Sequence, residues 1–278
     1  MARNVLPRVY LGVMTAEDDA LSALQASGLI DVLKWGAPVA FAATDQLYDE
    51  DQGHDQGVVG YLNFKHLRDL LDRATANGRF KLGEGLESLG EDVLKRGITP
   101  DAFDSMPAIP ADAVARRDYK QSPGWAIEGY RVLLQSYPFG KVDDIKWVQR
   151  SDAKKRVADQ LFVGDNALFD DEEFGLESIS GIPDDDDFAG VTLIAAHAFN
   201  PTTKQFELYI GQSKNPDYPG DSCWHWKKLL LSGGTPIGGT GLPVAPEMPS
   251  SGASTDVEDV PVRIKRTAAG EGSGAANG

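Results

Sequence analysis

The segment Cys223-Trp224-His225-Trp226 comes nearest to carrying chemistry. In an extended backbone alternate side chains share a face, which sets Cys223 and His225 side by side. Such a pair makes a thiolate nucleophile, and either residue ligates zinc. No second cysteine exists, however, and His54, His66 and His197 fall at no ligand spacing. The two tryptophans therefore predict a core plug or an interface, with Lys227 and Lys228 leading out to solvent. His197 sits in the middle of the apolar run 191–199 and reads as a core histidine with its hydrogen bonds satisfied. Residues 49–55, Asp-Glu-Asp-Gln-Gly-His-Asp, alternate carboxylates as a calcium loop does. The glycine falls one place early and Gly60 stands where the bidentate Glu belongs, so an exposed polar loop is expected.

Thr15, Glu17, Asp18 and Asp45 would lie at the ends of two strand candidates, residues 8–14 and 38–44, where α/β folds place ligands. Together with His197 they carry the enzymatic alternative, an intracellular hydrolase. Gly12-Val13-Met14-Thr15 lacks the glycines that let a backbone cradle a phosphate. Tyr209-Ile210-Gly211-Gln212-Ser213 resembles the second half of the GIY-YIG nuclease signature. The first half is missing, and no arginine occurs between Arg156 and Arg263 to serve as that family's catalytic residue. The segment is read as a strand that ends in a glycine turn. These residues give no catalytic assignment, no metal site and no cofactor.

Charge is segregated. The formal net charge is −15, of which the last 46 residues, with three basic and five acidic side chains, carry −2. The remaining −13 repels nucleic acid and anionic lipid at long range. Between residues 165 and 187 stand 10 acidic residues and no Lys or Arg; Asp170, Asp171, Glu172, Glu173, Asp184, Asp185, Asp186 and Asp187 dominate the stretch. Just upstream lie Arg150, Lys154, Lys155 and Arg156. Packed like charges repel, so the acidic stretch is expected as an exposed loop. It suits a basic partner, and oxygen ligation of a divalent cation by residues 184–187 is the alternative. A contact from this belt to the 150–156 cluster of a neighbouring copy would be heterologous and build a ring or filament. Trp224 and Trp226 are the expected apolar anchors of that contact.

The elements that must position these groups read as α+β, helix-leaning, with a β-hairpin near the end of the folded body. Thr15 and Asp18 resemble a capping box that opens a helix to Ser27, with Gly28 as its stop. Phe64, Leu67, Leu70, Leu71 and Ala74 recur at helical spacing up to Asn77-Gly78. Leu86, Leu89, Val93 and Leu94 predict another helix, closed by Gly97. Pro100, Pro107, Pro110 and Pro123 punctuate a connector over 99–123 between a subdomain at 1–98 and one at 124–232. Ser122-Pro123 is expected to open a helix with Tyr130, Leu133, Leu134 and Tyr137 on one face. Ser151 is expected to cap a helix over 152–162. Residues 191–199 and 205–210 form the clearest strands, joined by a five-residue loop at 200–204.

Residues 233–278 hold 10 Gly and 5 Pro and no Phe, Trp or Tyr. Such a composition offers too little apolar surface to offset ordering entropy, so a disordered tail is expected. Its basic island, Arg263, Lys265 and Arg266, is the candidate contact for nucleic acid. The single cysteine and the absence of a long apolar run point to a reducing interior and to no membrane span. The start lacks the apolar stretch of a secretory signal. The leading expectation is a non-enzymatic, self-associating structural protein, such as a viral or phage coat component, in the cytoplasm or within a particle. Copies of itself are its partners, and nucleic acid a further one through the tail. A regulatory binding module is the third reading.

Overall fold

Thr15 opens the first helix as its spacing predicts. Its hydroxyl accepts from the Asp18 amide at 3.1 Å, and the Asp18 carboxylate accepts from Thr15 in return. This box fills amides that a helix start leaves open. Helix α1 (Ala16–Ala26) ends before Gly28, whose φ of 78° suits glycine, and Gly28 also begins α2 (Leu29–Leu47). Asp55 caps α3 (Gln56–Ala74), accepting from the Val58 amide at 3.0 Å. Two short helices, α4 (Glu91–Lys95) and α5 (Pro100–Asp104), follow. The computed structural model describes residues 15–81, 90–110, 112–162, 188–218 and 220–234. The strand expected at 8–14, Leu86 and Leu89, the acidic belt at 165–187 and nearly all of the tail lie outside them.

Residues 38–44 are not a strand; they form the second half of α2. Leu29, Val32, Leu33, Gly36, Ala37, Ala40, Phe41 and Thr44 are buried at helical spacing, a period longer than the seven residues that suggested a strand. Pro38 removes one backbone bond, and burial of the surrounding face overrides that cost. Gly36 lets α3 approach closely, since a Cβ there would stand 3.3 Å from Leu67.

Six strands follow in sheet order: β1 (Ala115–Arg116), β2 (Gly124–Ile127), β3 (Tyr130–Ser136), β4 (Val191–Phe199), β5 (Gln205–Ser213) and β6 (Trp224–Gly234). Only β3 and β4 pair in parallel. The helix expected through Tyr130 and Tyr137 is therefore β3. Val132, Leu133 and Leu134 are all buried because both faces of the strand are covered, and that erases the period-two signal. Ser122 does not open a helix either. It bridges to Tyr119 across a turn in which Lys120 and Gln121 both take positive φ. The hairpin at 200–204 is as expected, and the Asn200 side chain accepts from the Thr202 and Thr203 amides.

The β3–β4 crossover carries α6 (Asp152–Ala158), which follows Ser151 without a side-chain cap and ends short of Phe162. Side-chain alternation divides the sheet into two cores. Val132, Leu134, Leu193, Ala195, Phe199, Leu208 and Ile210 pack with α1, α2 and α3. Leu133, Ile194, Ala196 and Ala198 pack with Val142, Ile145, Trp147 and α6. The result is a three-layer α+β fold, all of it within the unit Met1–Pro246; Glu247–Gly278 lies outside the described residues. The connector docks on the helical layer, where Trp35 Nε1 donates to the Ala102 carbonyl at 2.9 Å.

Asp72 fastens α3 to the sheet. Its Oδ1 accepts from Trp125 Nε1 at 3.0 Å and from Arg116 Nη1. Burial holds its carboxyl above the usual range, outweighing the pull of Arg116. A buried pair contributes little relative to apolar packing, yet breaking it strands the remaining partner. Asp72→Ala leaves Trp125 Nε1 without an acceptor, so it should lower unfolding free energy by on the order of 2 kcal/mol. Urea denaturation should show the midpoint falling with the slope unchanged.

Candidate functional site

Asp18 and Asp45 do not converge. Asp18 is spent on the α1 cap, Asp45 accepts from Lys204 Nζ at 2.6 Å, and Glu17 lies 3.9 Å from Lys228 Nζ. Among the described residues no three His, Cys, Asp or Glu side chains gather as a metal cluster. Asp49 turns its carboxylate to the Asp51 amide and the Gln52 side chain, so this loop serves its own backbone.

The Cys223–His225 pairing fails on geometry. Cys223 Sγ points to the Val142 and Asp143 carbonyls, and burial pushes its thiol up to about 11. His225 stacks on Phe162 with ring centroids 4.4 Å apart. A thiol so protonated is no nucleophile at neutral pH. Asp143, Asp144, Ile145, Trp147, Pro216 and Cys223 line a groove of about 250 Å³ with Val148 at its rim.

His197 is a core histidine, but it is not satisfied. It is fully buried beside Phe41, and neither ring nitrogen has a hydrogen-bond partner. Burial first and the Lys154 charge second push it down to about 3. The basic cluster also divides. Lys155 and Arg156 are exposed and Arg150 is half-buried, whereas Lys154 is 4% exposed. Burial, then the Arg131 guanidinium, push Lys154 down to about 7. As an inward residue of the amphipathic α6 it does not belong to a surface contact, contrary to the sequence expectation. Asp170, Asp171, Glu172, Glu173, residues 184–187, Arg263, Lys265 and Arg266 lie outside the described residues.

The two tryptophans face opposite sides of the sheet. Trp224 pairs with Ser213 and Trp226 with Gln212, so His225 is an extra residue in a bulge. Trp224, 3% exposed, donates to the Val142 carbonyl at 3.0 Å and meets Trp147 edge-on. It is a core plug and cannot anchor a partner. Trp226 packs half-buried against the helical core. Gly211 does not end its strand. It lies inside β5, where a Cβ would stand 2.9 Å from Lys227 Cα, so glycine admits the close approach of β6.

What the fold leaves open is β6 itself. It is the last strand of the sheet, eleven residues long, and pairs on one side only among the described residues. A second bulge at Leu230 interrupts its register. Leu229, Leu230 and Leu231 are half-buried along it. Its two lysines sit against carboxylates of the same chain: Lys227 Nζ is 3.0 Å from Asp143 and Lys228 Nζ 3.9 Å from Glu17. The charges that usually guard an edge strand are thus partly balanced.

Comparison with protein families, with curated proteins and with solved structures finds no match for this chain. The open edge was legible only in part: the two strands before it read as strands from their residue types and the loop between them, whereas Lys227-Lys228-Leu229-Leu230-Leu231 carries no such signal.

Both buried bases set a pH dependence. His197 titrates near 6.5 unfolded and near 3 folded. The unfolded chain therefore binds the extra proton in that window, and stability falls as pH drops through it, by about 2 kcal/mol at pH 5. His197→Leu should flatten this loss in thermal melts between pH 7 and 4. For Lys154, lowered from 10.5 to about 7, the unfolded chain holds a proton the folded chain releases between these values. Stability then rises with pH across that window. Lys154→Met should abolish the rise between pH 7 and 9, and an unchanged slope would refute the assignment.

Proposed function

We propose that this chain is a non-enzymatic structural protein that self-associates through the open edge of its sheet. The observation that carries the reading is β6, a long edge strand whose lysines are balanced within their own chain. An edge presents a row of unpaired backbone donors and acceptors to any extended neighbour. Net backbone hydrogen bonds contribute only about 0.5–1.5 kcal/mol each, while association costs on the order of 4–15 kcal/mol. Side-chain burial must supply the difference, and the half-buried Leu229, Leu230 and Leu231 are placed to do so. Lys155 stays outward for contacts with an acidic neighbour. Assembly from an edge suits a coat or particle component, in the cytoplasm or inside a particle. The hydrolase alternative gains nothing from Asp18 and Asp45, which serve a helix cap and a loop anchor.

Sedimentation of the full chain should show mass rising with protein concentration. Leu229→Lys, which places a charge on the edge at a half-exposed position, should shift that association to at least roughly tenfold higher concentration. A native chain that stays monomeric at high concentration and low salt ends the self-association reading.

A further inference from the structure

An edge of this kind accepts an extended segment with β-branched residues at alternate positions. Against this body the segment should also be basic. One stretch of the sequence meets both demands: Val260-Pro261-Val262-Arg263-Ile264-Lys265-Arg266. In an extended backbone Val260, Val262 and Ile264 fall on one face and Pro261, Arg263 and Lys265 on the other. Alternate residues also direct their backbone groups to the same neighbouring strand. A register that turns Val260, Val262 and Ile264 toward β6 leaves the missing Pro261 donor facing outward, where proline is tolerated. It also stops further strands from adding. Resting on the self-association reading, we infer that residues 260–266 of one copy add as a seventh strand to the β6 edge of the next.

Charge supports the pairing at long range. The body carries −13, and the lysines of β6 add little to repel a basic segment because Asp143 and Glu17 offset them. Arg263, Lys265 and Arg266 bring three positive charges in four residues. The connector length permits the reach. Twenty-five residues, 235–259, separate β6 from Val260, a coil span of roughly 25–30 Å. The contact joins two different surfaces, so it propagates as a ring or filament.

The test uses the full chain in three forms: native, Val262→Pro/Ile264→Pro, and Arg263→Glu/Lys265→Glu. Prolines at 262 and 264 remove the donors that would face β6, and neither position is among the described residues. Native protein should sediment as oligomers and protect β6 amides from hydrogen exchange as concentration rises. The proline variant should weaken assembly by roughly tenfold or more and lose that protection. A synthetic peptide of residues 256–268 should break native oligomers into smaller species by capping the edge. Charge reversal should weaken assembly at low salt, less so at high salt. If the proline variant assembles as the native chain does, the tail is not the added strand, and the self-association reading stands through another contact. A native chain that is monomeric removes both. If the charge reversal changes only retention of nucleic acid, the island is a phosphate contact and the inference is overturned. β6 protection that is independent of concentration, yet lost in the proline variant, means the strand adds within its own chain, which also overturns it.

Discussion

Burial of β3 and β4 on both faces is the constraint on which the other elements depend. Eight of the nine β4 residues are buried, and β3 beside it buries Val132, Leu133 and Leu134 in succession. Parallel pairing of these strands requires a long crossover, which must lie over one face of the sheet. Helices α1, α2 and α3 take the other face. Strand order, the inward turn of α6 and the position of Trp147 beneath Trp224 all follow from covering this pair twice.

That two-sided burial also explains the polar groups in the interior. His197 on β4 faces the helical layer, where Phe41 leaves it no acceptor. Arg131 on β3 faces the crossover, donating to Thr192 Oγ1 and lying over the Tyr119 ring, with Lys154 beside it. Gln160 pairs both of its amide groups with the Thr192 backbone. A strand central to a sheet has no solvent face to which a polar side chain can be sent. Such residues are neutralised, as His197 is, or held by local hydrogen bonds. The edge strand has the opposite freedom: Lys227 and Lys228 reach carboxylates on the two sheet faces while the outer backbone of β6 stays open.

Much of the fold was written in local sequence. The Thr15–Asp18 box, the Gly28 stop, the apolar stripe of α3 and the Asn200 loop each depend on a few neighbouring residues, and each stands where the pattern predicts. Two segments were misassigned. In α2 the Ala-rich run 38–44 is the second half of a longer helix, whose period seven residues are too few to show, and in β3 the run 130–136 is a strand covered on both sides. Periodicity reports secondary structure only when one face meets water. Where both are buried, helix and strand present the same continuous apolar string.

The sequence by itself determined the α+β class, the Thr15 capping box, the β4–β5 hairpin and the segregation of charge, because these rest on contacts within a few residues or on composition. Tertiary structure alone decided which side chains meet. It separated Trp224 from Trp226 through one extra residue at His225, turned Lys154 inward, and tied Asp18 and Asp45 to a cap and a loop. It also decided which strand is left at the edge. Register, bulges and sheet order arise from pairing between residues distant in the chain, and a one-residue shift in a strand exchanges its two faces.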